Sequence, residues 1–484
     1  MKIIRILPGL NILTRMRMCC CSRAIGAPEY SMLKSFTVQE IAKVTGAQVM
    51  ADADLMVTGI STDSRTVQPG DLYVALRGER FDGHDFIAPA GNAGAVAALV
   101  ETAQANAGIV QLQVANTLQA LGELAGYNRS LFNGPVVAVT GSAGKTSVKQ
   151  LMHSVLSQQF NTWMTQGNLN NHIGAPLSLL ALQPQHEAAV IELGASGAGE
   201  IAYTAQWVKP VVGIITNAAE AHIEGFGSLE GVMQTKGELL DFIQPGGTAV
   251  LNADDPFYRR WSERAADKQQ LSFGFSAAAD VRAQNIQTDL QGSHFTLLFG
   301  AQQWPVNLPL LGEHNVRNAL AVAAAGFALQ LPAEKIIAGL QAAGAVSGRL
   351  QWVTGVQGQR ILNDAYNANP ASVKAAIHVL KHAPRSWLVL GDMAELGADA
   401  VQQHADIGVY ARRQGIQHVL ATGPLSKATT DAFGAGAHWF ATQNDLVRFL
   451  QQQTRQQDVI LVKGSRSAGM DQVVTALQKN SEEH

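Results

Sequence analysis

Short apolar runs separated by glycine- and proline-bearing turns recur along most of the chain, and their spacing divides it into segments. From Phe36 onward, Val57-Thr58-Gly59-Ile60 and the run Leu72 to Leu76 flank the turn Gln68-Pro69-Gly70-Asp71, the pattern of a small α/β domain. A second rhythm begins at Pro135. There the β-branched runs Val136 to Thr140, Ala188 to Leu193, Val211 to Asn217 and Thr248 to Asn252 alternate with apolar residues at helical spacing, which predicts parallel strands joined by helices. After Gly348-Arg349 the rhythm restarts at Ile361 to Asp364, Trp387 to Gly391, His418 to Gly423 and Val459 to Gly464, and this predicts a Rossmann-like unit.

The expected fold class is therefore α/β throughout, with three domains: 32–114, a small α/β domain; 115–345, a central parallel-sheet domain; and 346–484, the Rossmann-like domain. A chain of 484 residues fits three cores at roughly 100–200 residues each. Residues 1–31 stand apart. Arg5, Arg15, Arg17 and Arg23 interrupt a short apolar stretch that also carries Pro8 and Asn11, unlike a secretory signal. The segment reads as a loose tail, or as an upstream start read in place of Met32.

Composition narrows the partners. Hydrophobic residues make up 47% and charged residues 15% of the chain, well below the roughly 25% charge of ordinary soluble domains, so much of it must be buried. A formal net charge of −3 without a lysine-arginine stripe argues against a nucleic-acid surface. No apolar run reaches membrane-spanning length. Cys19, Cys20 and Cys21 are the only cysteines, which leaves the domains without disulfide or thiolate chemistry and fits a reducing cytoplasm.

The sharpest chemical signal is Thr140-Gly141-Ser142-Ala143-Gly144-Lys145-Thr146-Ser147, between a β-branched strand and a helix of which Val148, Leu151, Met152, Val155 and Leu156 form one apolar face. Glycines let backbone N–H groups approach phosphate oxygens, the helix N-terminus favours negative charge, Lys145 neutralises it, and the Thr146 hydroxyl can ligate magnesium. The early glycine of the pattern G-x-x-x-x-G-K-[ST] would fall at Val139, so the loop departs from the kinase and GTPase form.

Other candidates follow from position. In open parallel sheets ligands collect beyond the carboxyl ends of strands. Glu192 ends a strand and could hold magnesium or serve as a turn carboxylate. Asn315 and Asn318 share one face at the start of an alanine-rich helix, where Asn315 could equally be a cap. By local sequence alone His222 reads as a polar loop residue, Lys236 as a solvated helix position, Arg349 and Asp364 as an ion pair, and Ser61-Thr62-Asp63-Ser64-Arg65 as an Asp-Ser turn.

The short T-G-x-x-G-K-T loop resembles that of the Mur-ligase family, which also includes folylpolyglutamate synthases. Val190 to Gly194, Ala221 to Gly227 and Lys236-Gly237-Glu238 match further blocks in order, and the resemblance runs from about Phe36 to Lys479. It implies that residues 141–147, Gly141, Ser142, Ala143, Gly144, Lys145, Thr146 and Ser147, bind ATP. Thr146, Glu192, His222 and Lys236 would surround Mg2+, with Lys236 carbamylated, and Lys145, Glu192, His222 and Lys236 would be the catalytic group. Asn315 and Asn318 would contact adenine, and Arg349 and Asp364 the ribose and phosphates.

The first domain would bind UDP through Ser61, Asp63, Ser64 and Arg65, while Asn168, Asn171, Asn367, Asn369 and Arg466 would face substrate. Within the family, the blocks Asp364 to Pro370, Gly391 to Gly397 and Lys463 to Ser467 point to D-alanyl-D-alanine as the added group. The D-N-P-R block of diaminopimelate addition is absent. The resemblance thus implies an ADP-forming amide ligase that uses ATP and Mg2+ on UDP-N-acetylmuramoyl-tripeptide and D-alanyl-D-alanine through an acyl phosphate. It would act as a cytoplasmic monomer in peptidoglycan precursor synthesis, without nucleic-acid or membrane partners. A folylpolyglutamate synthase-like ligase, a P-loop phosphotransferase and a nucleotide-switched binding module remain the alternatives.

Overall fold

The computed structural model describes residues 31–49, 54–78, 80–105, 107–219 and 223–478. The expected tail up to residue 30 and His222 lie outside the described residues. Three α/β domains are each built on their own mixed sheet, as the alternating pattern predicts.

The first sheet runs in the order Ser31–Thr37, Met56–Ser61, Asp71–Val74, Ala97–Val100, Val110–Gln113 and Gln48–Val49, with antiparallel pairs only at its edges. Asp71–Val74 and Ala97–Val100 are buried at every position, as interior parallel strands covered on both faces must be.

The central sheet has nine strands. Seven are parallel, in the order Thr162–Met164, Ala188–Glu192, Val136–Thr140, Val212–Ile215, Thr248–Asn252, Gln269–Gly274 and Val281–Thr288. Ser293–Phe299 and Gln302–Leu308 continue it as an antiparallel extension that the strand-helix rhythm does not announce. The chain leaves Val136–Thr140 toward one edge and later returns on its other side, so the sheet's switch point lies at this strand.

Helix Lys145–Leu156 buries Val148, Leu151, Met152, Val155 and Leu156 in the same core as the small residues of helix Glu313–Ala328. Helix Ala333–Gln341 comes so near that a Cβ at Gly339 would lie 2.4 Å from the Val155 Cα.

The third sheet runs Gln351–Thr354, Arg360–Asp364, Val459–Lys463, Ser386–Leu390, His418–Thr422 and Ala437–Phe440, parallel except for its first pair. Separate apolar clusters form around it, one including Leu362, Leu388 and Ile377, the other Ile361, Val389 and Leu446.

These domains form two compact units. Of the described residues, one gathers those up to Asn133 with Gln166–Gln185 and Ala195–Val208; the other holds Gly134–Thr165, His186–Gly194 and those from Lys209 onward. Helix Thr117–Ser130, which lies beyond the 114/115 boundary, belongs to the first unit. Its Gly122 and Gly126 leave room for the Trp207 indole, which a Cβ at either would approach to 2.6 and 2.8 Å. Among the described residues no helix is long and apolar enough to cross a membrane.

Candidate functional site

The phosphate loop leaves the strand at the switch point and is held by the end of the neighbouring strand. Asn217 accepts from the Ser142 N–H through its carbonyl at 3.0 Å and from the Ala143 N–H through Oδ1 at 3.0 Å. The Thr216 hydroxyl donates to the Ala143 carbonyl at 2.6 Å. Gly141 has φ +144°, and a Cβ there would fall 1.9 Å from Thr216 Oγ1. The Ser142 and Ala143 N–H groups are thus engaged in shaping the loop. The N–H groups of the first helical turn, from Lys145 through Ser147, have no intrahelical carbonyl and are the ones an anion would meet. Lys145 Nζ reaches back to the Gly141 carbonyl at 2.7 Å. Burial lowers its pKa, with Glu192 opposing that shift and Arg349 adding to it.

Glu192, 2% exposed, ends the strand next to the loop, and its backbone N–H donates to Thr165 Oγ1 at 3.1 Å. Thr146 Oγ1 donates to Glu192 Oε1 at 3.3 Å, and Lys149 Nζ stands 3.2 Å from Oε2. A hydroxyl and a carboxylate side by side are hard oxygen donors, a set that fits magnesium. Lys149 has no signal in the sequence because position 149 lies in the run of the amphipathic helix and nothing local marks it as buried. Its 1% exposure does.

Gly312 holds the N-cap position of helix Glu313–Ala328, so Asn315 is not its N-cap. Instead Asn315 Nδ2 donates to the Leu311 carbonyl at 3.0 Å and Oδ1 accepts from Asn318 Nδ2 at 3.0 Å. Gly144, at φ +84°, lies under Asn318, whose Oδ1 would be 2.6 Å from a Cβ on that glycine. The paired asparagines and the phosphate loop therefore share one wall.

In the third domain Asp364 pairs with Lys463 rather than with Arg349. The ammonium lies 2.7 Å from Asp364 Oδ2 and also donates to the Asn367 carbonyl at 2.9 Å, while Asp364 Oδ1 accepts from the Leu350 N–H at 3.3 Å. Arg349 stacks over Tyr366 at 4.4 Å, and Arg466 stands 5.9 Å from the same ring. Asn369 caps helix Pro370–Leu380, accepting from the Ser372 N–H at 2.8 Å. His314 is pushed down to about 4, chiefly by burial; Asp364 opposes this, while Lys463 and Arg317 add to it. Nothing in the sequence around Lys463 or His314 points to these neighbours, which only tertiary structure brings together.

Lys236, on helix Leu229–Gly237, is 2% exposed with its ammonium 5.0 Å from the Phe226 ring, which excludes the solvated-helix reading. In the first unit Ser61 Oγ donates to the Asp63 carbonyl at 2.9 Å. Asp63 Oδ1 accepts from the Arg65 backbone N–H at 3.0 Å and from its Nε at 2.9 Å, a tight turn ending in an exposed guanidinium, and Ser64 lies within it. Asn171 Oδ1 accepts from the Gly174 N–H at 2.8 Å at the start of helix Gly174–Leu180, three residues after Asn168.

A phosphate loop at a sheet switch point, a carboxylate beside it and a second α/β domain with charged strand ends together define an ATP-handling enzyme with three α/β domains. The chain belongs to the Mur ligase family: residues 56–129 match its catalytic domain, 139–326 the Mur ligase middle domain, and 348–466 the Mur ligase glutamate ligase domain. It is 43% identical over 450 residues to the UDP-N-acetylmuramoyl-tripeptide–D-alanyl-D-alanine ligase of Escherichia coli strain K12, spanning 92% of this chain and 99% of that protein. A crystal structure of MurF from Acinetobacter baumannii superposes with a TM-score of 0.87 at 36% identity, covering 92% of this chain and 98% of that one. MurF of Thermotoga maritima in complex with ADP matches with a TM-score of 0.78 at 27% identity, covering 86% and 96%.

Proposed function

We propose that this chain is an ATP-dependent, ADP-forming ligase that joins D-alanyl-D-alanine to UDP-N-acetylmuramoyl-tripeptide in peptidoglycan precursor synthesis, acting as a cytoplasmic monomer. The near full-length likeness to a ligase named for this reaction carries the choice of substrates. The phosphate loop supports the chemistry.

The terminal carboxylate of the tripeptide attacks the γ-phosphorus of ATP, the bond to ADP breaks, and an acyl phosphate forms. The dipeptide amine then attacks the acyl carbon, loses a proton and expels phosphate. Lys145 and the N–H groups of the first helical turn stabilise charge on the transferring phosphoryl group. Thr146 and Glu192, with His222 and a carbamylated Lys236, would hold magnesium, which when bound would neutralise phosphate charge. Asn315 and Asn318 receive adenine. Arg349 and Asp364 serve ribose and phosphates, with Lys463 holding the Asp364 carboxylate in place. Ser61, Asp63, Ser64 and Arg65 take the UDP end, and Asn168, Asn171, Asn367, Asn369 and Arg466 face the peptide substrates.

An isotope experiment tests the mechanism. The tripeptide carboxylate is labelled with heavy oxygen, ligation is run with ATP and D-alanyl-D-alanine, and the released phosphate is weighed by mass spectrometry. Labelled phosphate with ADP is expected. Unlabelled phosphate means hydrolysis by water, as in a nucleotide switch; label in AMP means adenylate transfer; a stable phosphorylated product means a phosphotransferase. Each of these outcomes overturns the proposal.

A further inference from the structure

Lys145 and Lys149 are four residues apart and share one face of helix Lys145–Leu156. Lys145 turns back to the loop carbonyl of Gly141. Lys149 instead goes to Glu192, where the two carboxylate oxygens face different groups: Oε2 lies 3.2 Å from the Lys149 ammonium, and Oε1 accepts from the Thr146 hydroxyl at 3.3 Å. The ion pair is almost fully enclosed, at 1% and 2% exposure. Enclosing it costs desolvation that an apolar side chain of similar volume would avoid, so packing alone gives no reason for a lysine here.

The local charge suggests one. Among the described side chains that meet at this pair, Glu192 sets a carboxylate against the ammonium groups of Lys145 and Lys149, and each ammonium works against a divalent cation there. A nucleotide polyphosphate works the other way.

We propose that Lys149 is a positioning residue that holds Glu192 with Oε1 turned toward Thr146 and makes divalent-cation binding at this pair conditional on bound nucleotide. The inference rests on the reading of Glu192 as a metal ligand. Cation and nucleotide then each raise the affinity for the other, by the same factor. An empty site stays without metal, and the cation enters with the polyphosphate.

The test measures Mn2+ binding to the full-length protein by electron paramagnetic resonance, with and without ADP. Lys149→Gln should bind Mn2+ in the absence of nucleotide about tenfold more tightly than the unsubstituted protein, and the gain from adding ADP should shrink to match. Lys149→Arg should behave as the unsubstituted protein does. Lys149→Gln binding Mn2+ no more tightly overturns the role of Lys149.

Adding Glu192→Gln to Lys149→Gln should abolish the extra Mn2+ binding. If binding persists, the metal reading of Glu192 is what fails. Lys149→Met, close in volume, is the second variant. If neither neutral variant folds but Mn2+ alone restores folding, the cation is replacing the lysine charge as proposed. A loss that no divalent cation repairs makes Lys149 a folding residue and overturns the proposal.

Discussion

Asp364 and Lys463 are register partners on adjacent parallel strands, and their side chains meet at 2.7 Å in a nearly closed environment. Removing either partner strands the other charge out of water, a loss on the order of 3–5 kcal/mol for buried pairs. Lys463→Ala should therefore lower stability sharply in urea unfolding, whereas Lys463→Met combined with Asp364→Leu should recover much of it. A double variant as unstable as the single would show that the pair serves the fold beyond mutual compensation.

For the phosphate loop, Lys145→Ala should leave the melting temperature nearly unchanged and cut ligation by roughly 10²–10³, the usual scale for one electrostatic group at a reacting centre. Gly144→Ala should act differently. Its φ of +84° and the 2.6 Å approach to Asn318 Oδ1 penalise any Cβ, so ADP binding measured by calorimetry should weaken while Lys145 is still present. Normal ADP affinity in Gly144→Ala would detach the asparagine pair from the loop.

His314 gives a pH dependence with a definite sign. Its folded value, pushed down to about 4, lies below the ordinary histidine value of about 6.5. The neutral ring is favoured by folding, so its contribution is complete above about pH 6.5 and is lost as pH falls toward 4. His314→Gln should flatten the decline in melting temperature across that window. A decline of unchanged steepness would assign it to other groups.

Lys236, being buried, should not tolerate replacement as a surface lysine does. Lys236→Ala is expected to lose ligation, and if the side chain carries a carbamate, a small added carboxylic acid should restore part of the rate. Full activity in Lys236→Ala would exclude any role near the reacting groups.

Much of this architecture is legible in the amino-acid sequence, because the relevant signals are local. A β-branched run, a glycine loop and an amphipathic helix are contiguous in the chain, so residues 136–156 stand out at once. The Asn315–Asn318 pair is equally visible as a spacing, although the backbone gives the capping position to Gly312. What stays hidden depends on partners distant in sequence. Lys149 finds Glu192 across 43 positions and Lys463 finds Asp364 across 99, and neither pairing leaves a local trace. Local sequence offers Arg349 as the partner of Asp364 for that reason; in the fold, the neighbouring strand delivers Lys463 instead, and Arg349 is left to Tyr366. The antiparallel strands after Val281 are hard to read because their alternation is partly exposed and interrupted, unlike the uniformly apolar parallel runs.

The path of the chain limits how such an enzyme can be taken apart or recombined. It passes between the two compact units after Asn133, Thr165, Gln185, Gly194 and Val208, and the short stretch His186–Gly194 carrying Glu192 is anchored at both ends in segments of the other unit. A single cut after Asn133 would free no complete module, since two further pieces of the first unit would remain attached downstream. Grafting the first unit onto the other unit of a relative would therefore require three segments joined at five coordinated junctions, and a junction placed by linear domain boundaries alone would yield a chimera with an incomplete core.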